Sequence, residues 1–141
     1  MRTYYADEVT VAIGAILIED GWADGEFLTI EMNEDAFNFV HSTDGMVTRG
    51  RNNNQSAVAT VKLLQSSPSN AALAALYNLD LITANGAGIV PFLVKDGSGD
   101  SIYEAEECCI QRPPNVSFDR SPTSREWQIY IPKLRRLDAG N

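Results

Sequence analysis

Apolar side chains recur at every second position in segment after segment of this chain. A period of two restricts such segments to half-buried strands, because successive side chains of a strand point to opposite faces. In EVTVAIGAILI the residues Val9, Val11, Ile13, Ala15 and Leu17 share one face, and Gly14 is a candidate bulge. GWADG supplies turn residues before EFLTIEM, where Leu28, Ile30 and Met32 alternate with Phe27, Thr29 and Glu31. Further strand is expected over 36–40 and 57–64, joined through HSTDGMVTRGRNNNQ, in which Asp44 and Gly45 suit a tight turn. IVPFLVKD, SIYEAEECCIQ and SREWQIYIP continue the alternation. Lys95 to Tyr103 reads as a second hairpin, pairing stops at Pro113 and Pro114, and Trp127, Ile129 and Ile131 form the buried side of a last strand.

One segment breaks the period. In SSPSNAALAALYNLD, Ser67 suits a cap, Pro68 the first helical position, and the alanines favour helix over about 68–79. Leu73, Leu76 and Tyr77 fall on one face of it, so this helix covers a sheet. Six to eight strands with one flanking helix predict a mainly β fold, a sandwich or small barrel. A chain of 141 residues fits one domain, 1–141, with a long central hairpin over about 27–64 and a basic C-terminal segment 112–141.

Charge is distributed unevenly. Residues 1–111 carry five Lys or Arg against sixteen Asp or Glu, whereas 112–141 carry six against three, within a net charge of -8. This balance argues against a reader of nucleic acid that works by phosphate neutralisation, which needs a basic stripe. It suits a surface past which DNA moves without adhering. The start MRTYYADEV has no basic segment followed by an apolar stretch, so cytoplasmic synthesis, a soluble product and no membrane anchor are expected.

No catalytic constellation emerges. His41 is the single histidine, beside Ser42 and Asp44 in a turn, and neighbours in a turn rarely meet the geometry of a triad. The carboxylates of Glu19, Asp20, Asp24, Glu26, Glu31, Glu34 and Asp35 match no calcium-loop spacing, and one histidine with two cysteines does not complete a zinc site. GAG at 86–88 lacks the Lys and Ser/Thr of a phosphate loop. No enzyme, metal or cofactor is expected. Cys108 and Cys109 are adjacent on a strand and point to opposite faces, so one is a core residue and the other faces outward, where an intermolecular disulfide is a minority expectation.

Specific words then add to the pattern. YYADEVTVAIGAILIEDGWADGEFLTIEM, TDGMVTRGRNNNQSAVATVKLLQSSPSNAALAALYNLD, NGAGIVPFLVKDGSG and PPNVSFDRSPTSREWQIYIP together resemble the tail tube subunits of contractile-tailed bacteriophages, over nearly the whole chain. The resemblance implies a β-sandwich or barrel with one flanking helix, in hexameric rings that stack helically into a hollow tube. The inner tubes of type VI secretion and of phage-derived bacteriocins are similar in architecture. It further implies a virion tail protein assembled in the host cytoplasm. Its partners would be other copies of itself, the tail sheath protein, and tape-measure and baseplate proteins. DNA would pass transiently through the lumen without sequence-specific binding.

On that footing Thr29, Glu31, Thr60 and Lys62, polar positions of two central strands, are candidate lumen-facing residues. The plainer reading makes them outward residues of a half-exposed sheet. Arg2, Asp7, Glu8, Asp44, Arg49, Arg51, Arg112, Arg120, Arg125, Arg135 and Arg136 are candidate inter-subunit contacts, against a plainer reading as surface charges. Two rivals stand beside the tube subunit. One is a non-polymerising ring of the tail, a terminator or baseplate hub. The other is a monomeric β-sandwich ligand-binding module, which would need an exposed aromatic platform, whereas Trp22 and Trp127 sit far apart in sequence.

Overall fold

At Gly14 the first alternating segment turns back on itself. Gly14 has φ +61°, a left-handed conformation that disfavours any Cβ, and its N–H donates to the carbonyl of Pro91 at 2.7 Å. The expected single strand with a bulge is therefore two antiparallel strands, β1 (Val9–Ile13) and β2 (Ile16–Ile18). The reversal changes the phase of the pattern: Val9, Val11, Ile13 and Ile18 are buried, while Ala15 and Leu17 face solvent.

The computed structural model describes residues 1 and 3–139. A 3-10 turn (Ala6–Glu8) precedes β1. After β2 come β3 (Leu28–Met32), β4 (Phe37–His41), β5 (Val47–Arg51) and β6 (Ala57–Leu64), then the helix α1 (Ser69–Ile82). The chain continues with β7 (Val90–Asp96), β8 (Ser101–Arg112), β9 (Ser124–Ile131) and β10 (Arg135–Leu137). Among the described residues these are ten strands, two more than the upper expectation. Three of the ten are not separate strands in the sequence pattern: the short β2 and β10, and the polar VTRGR of β5, which carries little period-two signal.

The main sheet runs in the order β2-β1-β7-β8-β9-β6-β3, with β10 paired to β8. It bends at β8. This strand pairs with β7 as far as Cys108, with β10 through Ile102–Glu104, and with β9 from Cys109 onward. The bend lets β2, β1 and β7 fold over β9, β6 and β3. The residues of the two halves meet in one core: Val11, Ile13, Ile18, Phe92 and Val94 from one, Ala59, Val61, Leu63, Trp127, Ile129 and Ile131 from the other. The expected alternation of Trp127, Ile129 and Ile131 is present, and all three are buried. β8 ends immediately before Pro113 and Pro114, where ladder donors run out.

α1 extends three residues beyond the expected end at residue 79. Pro68, with φ -66°, occupies the cap position one residue before the helix, and the hydroxyl of Ser67 accepts from the N–H of Ser69 at 3.4 Å. Leu73 is fully buried, and Leu76 and Tyr77 pack at the edge of the core. The indole Nε1–H of Trp127 donates to Oδ1 of Asn70 at 2.9 Å, and Asn70 Nδ2 donates to the carbonyl of Leu64 at 2.8 Å. The first turn of α1 is thereby tied to both β9 and β6.

The central hairpin over 27–64 has two parts. Its base, β3 with β6, belongs to the main sheet, and β3 is its edge rather than a central strand. Its distal part, β4 with β5, is a separate two-stranded ribbon whose residues are exposed except Gly50. At the junction, Asn33 N–H donates to the Ser56 carbonyl at 3.0 Å and Asn52 N–H to the Ala36 carbonyl at 2.8 Å.

Candidate assembly surfaces

The register of the sheet decides where the four candidate lumen residues point. Thr29 is the direct partner of Thr60, which is the partner of Gln128; Lys62 lies opposite Glu126, and Val58 lies between Glu31 and Tyr130. The residues in phase with them share the face turned away from the core, because their neighbours Ala59, Val61, Trp127 and Ile129 fill it. Thr29, Glu31, Thr60 and Lys62 thus stand together on one outward face of β3-β6-β9-β8. That face holds carboxylates, Glu31 and Glu126, and cations, Lys62 and Arg112, with hydroxyl and amide groups between them. It is polar and balanced in charge, not the acidic wall that the overall composition suggests.

The β4–β5 ribbon projects as an arm. Phe39, Val40, Met46 and Val47 are 60%, 63%, 69% and 54% exposed, so the arm presents apolar surface that the monomer leaves uncovered. Two-stranded ribbons are marginally stable alone and need a further layer. Its tip is a turn with Gly45 at φ +92°. There the Ser42 hydroxyl donates to the Asp44 carboxylate and accepts from the N–H of Met46 at 3.0 Å. The Ser42 bond, and then the Met46 backbone, hold the Asp44 carboxyl below the usual carboxylate range. Arg49 lies with its guanidinium carbon 4.3 Å from the ring centroid of Phe37. Arg51 lines an open cleft at the base of the arm with Asn33, Glu34, Asp35 and Asn38.

The basic C-terminal residues fall into two groups. Arg135 and Arg136 lie on β10 and are engaged within the chain, Arg135 with Glu104 at 3.3 Å and Arg136 with Asp138 at 3.2 Å. Asp138 also accepts from the hydroxyl of Tyr103 at 2.5 Å, a bond that lowers the carboxyl and raises the phenol from their ordinary pKa values. Arg112 and Arg125 flank the loop 113–123, and Arg120 lies within it. Arg125 braces that loop from within, donating to the Ser117 carbonyl at 3.4 Å and to Thr123 Oγ1 at 3.2 Å. Arg112 and Arg120 are exposed. The same loop presents Val116 and Phe118, 69% and 81% exposed, which polar patterning alone does not single out.

Asp7 and Glu8 lie exposed in the 3-10 turn, and Arg2 lies outside the described residues. Cys108 is buried, and desolvation, with a smaller effect of Cys109, pushes its thiol up to about 12. Cys109 is half-buried on the polar face opposite Tyr130, its thiol raised by burial and by the charge of Asp80. Among the described residues no three His, Cys, Asp or Glu side chains are grouped to hold a metal ion. His41 lies exposed at the end of β4. Trp22 packs on Phe27 with ring centroids 4.9 Å apart and Trp127 is buried in the core, so the two do not make an exposed aromatic platform.

Comparison with known proteins adds to this geometry. A family model described as bacteriophage PhiTE tail tube protein matches residues 1–137. Structural protein ORF10 of Pseudomonas phage KPP10 is 31% identical over 144 residues, covering 99% of this chain and 83% of that protein. Two structures solved by cryo-EM share the fold. The tube-terminating cap of the anti-feeding prophage superposes with a TM-score of 0.61 at 8% identity, covering 99% of this chain and 93% of the other. The sheath/tube terminator of the PVC extracellular contractile injection system, in its extended state, does so with 0.65 at 11%, covering 98% and 99%. At these identities the likeness is one of fold.

Proposed function

The chain belongs to the bacteriophage PhiTE tail tube protein family, and from that premise we propose that six copies form a ring coaxial with the tail tube, with the polar face of β3-β6-β9-β8 turned to the channel. Membership makes it a structural protein of the phage tail, with an assembling rather than a catalytic role. The observation that carries the ring reading is the sheet of β3, β6, β9 and β8. One of its faces is core, and the other is a mainly polar surface of balanced charge, broken by Val58 and Cys109 beside Tyr130. Such a surface presents neither a phosphate-binding stripe nor a large apolar patch to DNA passing through.

Two positions are open to such a ring. The likeness of fold to two terminators favours a ring that closes the end of the tube and meets the sheath there. The family description favours a repeating ring of the tube wall. In either position the exposed arm, with Phe39, Val40, Met46 and Val47, reaches an axial neighbour, a second copy in the wall or the last tube ring beneath a cap. Asp44, Arg49 and Arg51 then lie at that contact.

Negative-stain microscopy of the purified, concentrated protein tests both points. Single rings at every concentration identify the terminator, and tubes of indefinite length identify the wall subunit. A monomer throughout, with no ring even when purified tube or sheath protein is added, overturns the proposal.

A further inference from the structure

We propose that Asn85, followed by Gly86 in the turn between α1 and β7, is a self-modification site: its side-chain amide converts to a carboxylate by way of a succinimide closed by the Gly86 backbone nitrogen. The site goes beyond the ring reading and stands without it.

Ring closure asks three things of an asparagine: a side-chain amide held by no partner, a following backbone N–H whose proton is free to leave, and room for that nitrogen to approach Cγ. TANGAG is the one place in the chain where asparagine precedes glycine. Glycine meets the third need, because the missing Cβ widens the backbone's range and clears the approach. Gly86 uses that range: its φ is +71°, and a Cβ here would sit 3.0 Å from Cδ1 of Ile89. The fold meets the other two. Asn85 is exposed, and among the described residues neither its amide nor the Gly86 N–H has a hydrogen-bond partner.

The turn is anchored on either side of the pair instead. Upstream, the N–H and the hydroxyl of Thr83 both donate to the Leu79 carbonyl, at 3.1 and 2.7 Å, and close the helix. Downstream, Ile89 N–H donates to the Gly86 carbonyl at 3.0 Å and Gly88 N–H to Asp80 Oδ1 at 3.2 Å. The peptide between Asn85 and Gly86 spans the gap between these anchors.

Other positions meet fewer of the needs. The amides of Asn33, Asn52, Asn54 and Asn70 are hydrogen-bonded, and none of these residues precedes glycine. The Asp–Gly pairs at 20–21, 24–25, 44–45 and 96–97 present carboxylates, which are poor electrophiles. Two of those pairs are tied further, since Gly45 N–H donates to the Ser42 carbonyl and Gly97 N–H to the Glu8 carbonyl, both at 3.1 Å.

The chemistry balances with water alone. The Gly86 nitrogen gives its proton to water or hydroxide and its electron pair to Cγ of Asn85. The tetrahedral carbon then expels the side-chain nitrogen, which takes up a proton and leaves as ammonia. One water opens the succinimide. Attack at Cγ gives aspartate at position 85, and attack at the main-chain carbonyl gives isoaspartate, whose backbone runs through the former side chain. One water is consumed and one ammonia released, with no oxidant, reductant or enzyme.

Each modified copy adds one negative charge to a chain of net charge -8. The new carboxylate lies just past the C-terminal end of α1, an end that disfavours anions, and between the exposed side chains of Ile82 and Ile89. Modification therefore loosens this turn and charges an apolar corner, to an extent that grows with the age of the sample.

The test uses the full chain, kept warm at mildly alkaline pH in heavy-oxygen water and then digested in ordinary water, so that only conversions during the incubation carry the label. Mass-spectrometric fragmentation should show Asn85 exchanging its amide nitrogen for one labelled oxygen ahead of every other asparagine, faster as pH rises, and at a rate within a few-fold of that in urea. Asn85→Gln, which would need a larger ring, should stay unmodified and abolish the acidic drift of the aged chain on isoelectric focusing. Asn85 outlasting the other asparagines in the folded chain, or converting in urea but not in buffer, overturns the proposal. Aged wild-type chain should also melt below fresh chain, and aged Asn85→Gln together with its fresh counterpart. Equal melting of fresh and fully converted wild type refutes the loosening of the turn.

Discussion

Replacing Trp127 by Phe tests the tie between α1 and the sheet. Trp127 is 3% exposed, and its Nε1–H reaches Asn70 at the start of the helix, which in turn reaches the carbonyl at the end of β6. Shrinking the indole to a phenyl ring loses packing in a closed site, at a cost of about 1–2 kcal/mol. The lost hydrogen bond and the half-buried Asn70 oxygen left behind add about 1–2 kcal/mol. The expected total is roughly 2–4 kcal/mol, or a fall in Tm on the order of 10 °C for a domain of this length. Urea unfolding of the monomer at low concentration measures it, with the midpoint shifted and the slope unchanged. Asn70→Ala should cost about 2 kcal/mol by stranding the indole N–H, and the double variant about 1 kcal/mol less than the sum of the singles. If Trp127→Phe costs under ~1 kcal/mol and the two changes are additive, the hydrogen bond does not anchor the helix and the reasoning fails.

Gly14→Ala should cost about 2–3 kcal/mol, from the left-handed φ together with a new Cβ only 2.9 Å from that of Val90; a Tm within error of wild type would refute it. Phe39→Ser with Val40→Ser should leave the melting of the monomer within ~0.5 kcal/mol yet raise the concentration needed for axial assembly severalfold, as read by light scattering. Alkali should weaken the fold through Cys108. An acid held neutral in the folded state supports stability fully below its unfolded pKa near 9.0, and that support is lost as pH rises towards about 12. The raised Tyr103 acts in the same direction, so Cys108→Ala should flatten the decline in Tm above pH 9 without abolishing it.

Where one face of a regular strand is buried, its period was readable: β6 and β9 lie where alternation puts them, and Cys108 and Cys109 divide between core and polar face as strand geometry requires, although β8 changes phase between Ala105 and Cys108, where its register with β7 shifts. The turn at Gly14 was harder, because VTVAIGAILI keeps its alternation through a reversal that only a pairing partner reveals. β5 and β10 carry polar or charged side chains on both faces and are strands by virtue of their partners, not their composition. Thr29, Glu31, Thr60 and Lys62 were legible as outward positions, but their grouping with Glu126, Gln128 and Tyr130 depends on a register that no local pattern contains. The apolar arm was hidden for the opposite reason. Phe39, Val40 and Val47 look like core residues in a one-dimensional pattern, and only the three-dimensional arrangement shows that the monomer has nothing to cover them with.

The route of β8 through the molecule has a mechanical meaning. Because one continuous strand is bonded first to β7 and β10 and then to β9, the two halves are connected by covalent backbone as well as by side-chain packing. Load applied along β8 shears its ladders, and many hydrogen bonds must yield together; load applied across the core would peel contacts apart one at a time. A push on one half of such a subunit reaches the other through the backbone of β8 as well as through the packed core.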